Sequence, residues 1–183
     1  FFGALAAAPL LWLYVMRDYQ KQRVLTLLSP EDDRFGAGWN IIQSTTAIGS
    51  GGLAGKGWTE GTQSQLNFLP ESHTDFIIAV LAEEFGLLGV IGLCTIYLLL
   101  IGYCMIIAVN AQSQFARLMA GSISLTFFIY MFVNMSMVSG LLPVVGVPLP
   151  IVSYGGSAIV TLFFGFGILM AISSEPKRIG SWR

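Results

Sequence analysis

From Phe85 to Ser174 the chain carries one charged side chain, Arg117. A soluble domain has charges at about a quarter of its positions. A run this long with a single charge cannot form a water-facing surface, and it predicts helices embedded in a bilayer. The whole chain agrees, with 55% hydrophobic and 10% charged residues among 183. A net charge of −1, with no basic run and no acidic tail, gives no reason to expect nucleic acid as a partner.

Interruptions in the apolar pattern divide the chain. Residues 1–16 look like the end of a membrane helix stopped by Arg17. The chain starts at Phe1 inside this apolar run, with no initiator Met and no basic segment before a cleavage site, which predicts a truncated chain rather than a signal peptide. Residues 17–75 form a long polar loop. Residues 76–109 are apolar but too long for one crossing of about 20 residues. The membrane part is placed at Gly86–Val109, with the preceding turns in the interface. After a polar turn, residues 118–138 make a third crossing. Residues 157–174 make a fourth, and 175–183 form a polar tail. The fold class is therefore all-α integral membrane, with four crossings. Cys94 and Cys104 lie about 15 Å apart on one helix, too far for a disulfide. Charge does not set orientation. Arg17, Lys21, Arg23, Arg34 and Lys56 fall on one side and Arg117, Lys177, Arg178 and Arg183 on the other, and long loops count poorly in the positive-inside rule.

The long loop has internal order. Ser29-Pro30-Glu31-Asp32 has the form of a helix start: a capping serine, proline at the first position, then acids at the positive end of the dipole. Trp39–Ile48 puts Ile41, Ile42, Thr45 and Ile48 on one face, which suits a helix lying on the membrane surface. Gly49–Gly61 then holds six glycines. This is not a Walker loop, because Ser50 and Gly57 stand where glycine and Ser/Thr are required. Gly49, Gly51 and Ala54 mimic a dinucleotide fingerprint without the strand and helix that would support it. A compact turn-rich loop is the plainer reading. Lys56 within it is a cation that can meet a lipid pyrophosphate.

Two segments carry chemistry. LPESHTDF, Leu69–Phe76, packs Glu71, His73 and Asp75 just before a membrane helix. Thr74 or Asp75 capping that helix is the bland alternative. An acid/base site at the membrane surface is the functional one, because partial desolvation raises a carboxylate pKa toward its working range. Eight residues on, Glu83 can share a cavity with Asp75, while Glu84 points to the opposite side. The second segment, 139–156, contains Pro143, Pro148, Pro150 and several glycines. It cannot be a straight helix, and such backbone survives at membrane depth only when buried or lining a cavity. A broken, re-entrant segment roofing a cavity near Asp75 is expected here; an ordinary interfacial loop is the alternative.

GLAGKGWTEGTQSQLNFLPESHTDFIIAVLAEEFGLLG together with NMSMVSGLLPVVGVPLPIVSYGGS resembles the SEDS family (shape, elongation, division, sporulation), and its elongation members more than its division members. The resemblance runs along the whole chain. It implies a ten-helix bacterial inner-membrane protein of which this is roughly the last four helices. It also implies that Arg17–Asp75 is extracytoplasmic and the tail, through Arg183, cytoplasmic. The implied activity is peptidoglycan glycosyl transfer, polymerising lipid II during elongation, with a class B penicillin-binding protein and membrane lipids as partners. The family's essential loop aspartate matches Asp75. By the resemblance, an α-linked donor gives a β-1,4 product by one in-line inversion, with Asp75 as general base or as ligand to a divalent cation (Mg or Mn). Lys56, Glu71, His73, Glu83 and the Ser153-Tyr154-Gly155-Gly156 run are its supporting or substrate-binding candidates. Two other classes remain: a lipid II flippase, since broken helices also suit transport, and a non-catalytic scaffold for the penicillin-binding protein. A flippase needs a groove but no outer-surface base, and a scaffold needs neither.

Overall fold

The computed structural model describes residues 16–33, 36–62 and 74–175. The expected first crossing lies outside these residues except for Met16, as do Glu71, His73 and the tail beyond Glu175. The described chain is helical. α1 is Asp18–Leu28, a 3-10 turn spans Pro30–Asp32, and α2 is Ala37–Gly51. α3 is Ile77–Asn110, α4 is Gln114–Val138 and α5 is Gly156–Ser173. Among the described residues, α3, α4 and α5 are the three helices long and apolar enough to cross a membrane.

The polar turn before α4 does what its composition suggests: the Ser113 hydroxyl accepts from the Ala116 amide at 3.0 Å and caps the helix. Aromatic rings join the three long helices. Tyr97 of α3 meets Phe127 of α4 at 5.7 Å between centroids, and Phe127 meets Phe166 of α5 at 5.5 Å. Ala47, Phe76, Ala79, Met137, Val138 and Leu149 continue this core toward the loop end. Cys94 and Cys104 are both free thiols.

Two loop expectations are refined. Ser29 does precede a helix, with proline first and Glu31 and Asp32 in it, but that helix is the 3-10 turn Pro30–Asp32 and the Ser29 side chain makes no cap bond. The Ser29 amide closes α1 on the Leu25 carbonyl at 2.9 Å. The helix at Trp39–Ile48 exists, extended to Ala37–Gly51, but Ile41, Ile42, Thr45 and Ile48 do not share one environment, since Ile41 is buried and Ile48 packs against the core. Its buried line is Ile41, Ser44, Ala47 and Gly51, while Thr45 is exposed. Small residues on that line let α2 approach the protein: the Ser44 hydroxyl donates to the Val138 carbonyl at the end of α4, at 2.9 Å.

α3 is two helices in series. Gly86, at φ 67° and ψ −162°, breaks it after a short first piece, Ile77–Phe85. The glycine-rich loop fills the break. The Lys56 and Gly57 amides donate to the Glu83 and Glu84 carbonyls at 3.0 Å each, satisfying the C-terminal end of the first piece. In return the Leu87 and Leu88 amides, opening the second piece, donate to the Gly52 and Leu53 carbonyls at 2.9 and 3.2 Å. A Cβ at position 86 would stand 2.3 Å from the Gly55 nitrogen, so close backbone approach requires glycine there as well as the positive φ.

Candidate functional site

Asp75 sits in the turn Thr74–Phe76 that leads into α3. The residue at the capping position is Phe76, which makes no side-chain cap. Phe76 is 1% exposed and anchors the turn in the core.

Three polar side chains hold the turn and the segment packed against it. The Asn134 side-chain amide, within α4 and fully buried, donates to the Asp75 carbonyl at 2.8 Å and to the Val147 carbonyl at 2.7 Å. The Ser153 hydroxyl donates to the Thr74 carbonyl and accepts from the Leu149 amide at 2.8 Å. The Tyr97 hydroxyl donates to the Pro150 carbonyl, holding the same proline-broken segment from α3. Residues 139–155 contain no helix and are shaped into this surface by these bonds. Gly146 has φ 78°, and a Cβ there would stand 3.3 Å from Asp75 Oδ2, so the segment passes directly over the carboxylate. On its outer side the Arg23 guanidinium of α1 donates to the Val145 carbonyl at 3.3 Å. A cavity of about 340 Å³ lined by Tyr19, Gln20, Arg23 and Val145 lies at that contact.

The structure brings together some of the expected residues. Ser153 is 2% exposed and bonded to the Asp75 turn. Tyr154 is 83% exposed, and with Ile77 and Ser153 it lines an open depression of about 610 Å³. Gly155 and Gly156 begin α5. Lys56 is committed elsewhere: its ammonium donates to Glu83 Oε1 at 2.7 Å and to the Thr62 hydroxyl at 2.9 Å, and the Glu83 side chain is fully buried. Glu84 is buried too. Glu71 and His73 fall outside the described residues. Among the described residues no three of the His, Cys, Asp and Glu side chains gather into a group able to hold a metal ion. Asn134 is not among the candidate site residues that the sequence motifs single out. The signal was available, since a carboxamide in the middle of an apolar crossing is costly unless it is used.

Comparison with known proteins converges on one group. Residues 1–178 match the sequence model of the FtsW/RodA/SpoVE family, described as cell cycle proteins. The chain belongs to this family. The peptidoglycan glycosyltransferase MrdB of Escherichia coli K12 is 61% identical over 174 residues, which are 95% of this chain and 47% of that protein. A probable peptidoglycan glycosyltransferase FtsW of Geobacter metallireducens is 44% identical over 170 residues, 92% of this chain and 45% of that protein. The chain thus spans about half the length of these FtsW/RodA/SpoVE relatives. Among solved structures, a peptidoglycan synthase complex that coordinates polymerization and crosslinking contains a chain with TM-score 0.74 and 28% identity. The match covers 97% of this chain and 50% of that one. A mutant of the Thermus thermophilus rod shape determining protein RodA shares the fold at TM-score 0.54 and 24% identity, over 92% of this chain and 62% of that one.

Proposed function

We propose that this chain is the portion of an inner-membrane, multi-pass peptidoglycan glycosyltransferase that carries its catalytic carboxylate, Asp75. The observation that carries this reading is the placement of Asp75. Its backbone is gripped by a buried Asn134, and the proline-broken segment lies over its side chain at the loop end of a membrane helix. A base that must meet a lipid-linked sugar needs that location, and it needs the rigidity that brings reacting atoms to attack distance.

The chemistry follows from charge. The acceptor sugar hydroxyl attacks the anomeric carbon of the lipid-linked donor, and Asp75 takes its proton as the new C–O bond forms. The bond from that carbon to the pyrophosphate breaks, and the electron pair leaves on the pyrophosphate oxygen. One such displacement inverts the anomeric centre. Arg23, exposed and seated on the segment over Asp75, is a cation able to face the departing pyrophosphate. Lys56, neutralised by Glu83, is not placed for that task. The segment Arg17–Asp75 lies outside the cell, and a penicillin-binding protein that cross-links the product is the partner. The test is glycan polymerisation from labelled lipid II by the full-length protein with that partner, wild type against Asp75→Asn. Abolished polymerisation supports the reading. Loss of lipid II transport as the sole defect would favour a flippase.

A further inference from the structure

We infer that Lys56 and Glu83 are positioning residues for Asp75: they latch the far end of the short helix that carries it. This rests on the reading of Asp75 as the catalytic carboxylate. The helix piece Ile77–Phe85 is a rigid strut. Asp75 precedes its first turn, and Glu83 lies about 12 Å further along by helical rise. Gly86 ends the strut, and a helix broken at such a point is free to hinge unless its end is held. Here the end is held twice. The backbone of the glycine-rich loop caps it through the Lys56 and Gly57 amides. The Lys56 ammonium then closes on Glu83 Oε1 at 2.7 Å, with the Thr62 hydroxyl 2.9 Å from the ammonium and 3.1 Å from the same carboxylate oxygen.

Burial makes this pair a latch rather than a surface decoration. The Glu83 side chain has no exposure, while Lys56 is 29% exposed. An exposed pair of this kind contributes little. Removing Lys56, however, takes the ammonium from beside a buried carboxylate that keeps its bond from the Thr62 hydroxyl, and the loss of that charge favours movement of Glu83 toward water and of the strut with it. At the other end Asn134 and Ser153 hold the backbone carbonyls of Asp75 and Thr74, so movement of the strut pivots there and turns the Asp75 side chain. Displacement at the latch therefore appears as misalignment of the Asp75 side chain. Small misplacements of a reacting group cost up to about 100-fold in rate. The glycine-rich motif, which the sequence offers as a candidate anion loop, serves on this account as the socket for a helix break.

The test uses the full-length protein with its partner, measuring kcat and KM for labelled lipid II together with the melting temperature. Lys56→Met is expected to lower kcat by roughly 10- to 100-fold while KM stays within about threefold, because alignment rather than substrate affinity is lost. Lys56→Arg, which keeps the charge, is expected to restore kcat to within about threefold of wild type. Unchanged kcat in Lys56→Met overturns the latch. So does a raised KM at unchanged kcat, which assigns Lys56 to direct contact with the substrate. Glu83→Gln is expected to match Lys56→Met if it folds; if it melts early, Lys56→Met and Lys56→Arg decide. Asp75→Asn in the same assay separates the two claims: full activity there refutes the catalytic reading itself, whereas an inactive Asp75→Asn beside a fully active Lys56→Met refutes only the latch.

Discussion

Replacing Asn134 with leucine tests how the site is held, because leucine keeps the volume and removes the donors. The Asn134 amide serves two buried carbonyls, those of Asp75 at 2.8 Å and Val147 at 2.7 Å. Each carbonyl left without a donor costs about 1–3 kcal/mol, so the pair costs about 2–6 kcal/mol. Part is recovered, since Asn134 Oδ1 is buried with no hydrogen-bond partner among the described residues and leucine removes that burden of about 1–3 kcal/mol. A net loss of about 1–3 kcal/mol remains at the Asp75 turn. Expressed as loss of the aligned turn, this lowers turnover roughly 5- to 150-fold. The assay is lipid II polymerisation by the full-length complex, with melting temperature measured in parallel. Wild-type turnover in Asn134→Leu, at an unchanged melting temperature, would show that the carboxamide does not hold the site.

Other outcomes follow from the same geometry. Gly86→Ala places a Cβ 2.3 Å from the Gly55 nitrogen at a positive φ, so the loop is forced off the break; a lowered melting temperature and faster proteolysis at Gly52–Gly57 are expected. Gly146→Ala brings a methyl to 3.3 Å from Asp75 Oδ2 at φ 78°, and turnover is expected to fall with little change in expression. Topology is open to labelling, in a background with Cys94 and Cys104 replaced by alanine. Glu60→Cys reacts with an impermeant thiol reagent in intact spheroplasts and Gln112→Cys does not; the reverse pattern would invert the orientation.

The sequence made the membrane helices legible because hydropathy and charge act along the chain, and α3, α4 and α5 need no tertiary information to be recognised. Asp75 was legible as a candidate, through an ionisable cluster set against an apolar run and through family resemblance. What escaped depends on contacts distant in sequence. Asn134 lies 59 residues from the carbonyl it holds, and Ser153 lies 79 residues from its own. The helix break at Gly86 was only implied by excess length, and the role of Gly51–Gly57 is set by a partner that periodicity cannot reveal. The Ser29-Pro30-Glu31-Asp32 pattern marked a helix start, but not that the helix would be a single 3-10 turn or that the Ser29 amide would finish α1. On α2 the spacing of the aliphatics picked out Ile41 and Ile48, which do pack inward, but not the small residues Ser44, Ala47 and Gly51 that share the buried side, because close approach of another backbone selects them.

The most direct test is turnover of labelled lipid II by the purified full-length protein and its partner, comparing wild type with Asp75→Asn. Asparagine keeps the size and leaves the backbone carbonyl available to Asn134, so the complex is expected to assemble and melt as wild type does. It cannot accept a proton at neutral pH. General base catalysis contributes about 10²–10⁴-fold, so turnover should fall by at least about 100-fold with substrate binding retained. Asp75→Glu then separates the roles: an altered pH profile marks a base, and a shifted Mg2+ or Mn2+ dependence marks a cation ligand. Near-normal polymerisation by a folded, partner-bound Asp75→Asn protein would contradict the assignment of Asp75 as the residue that drives the transfer.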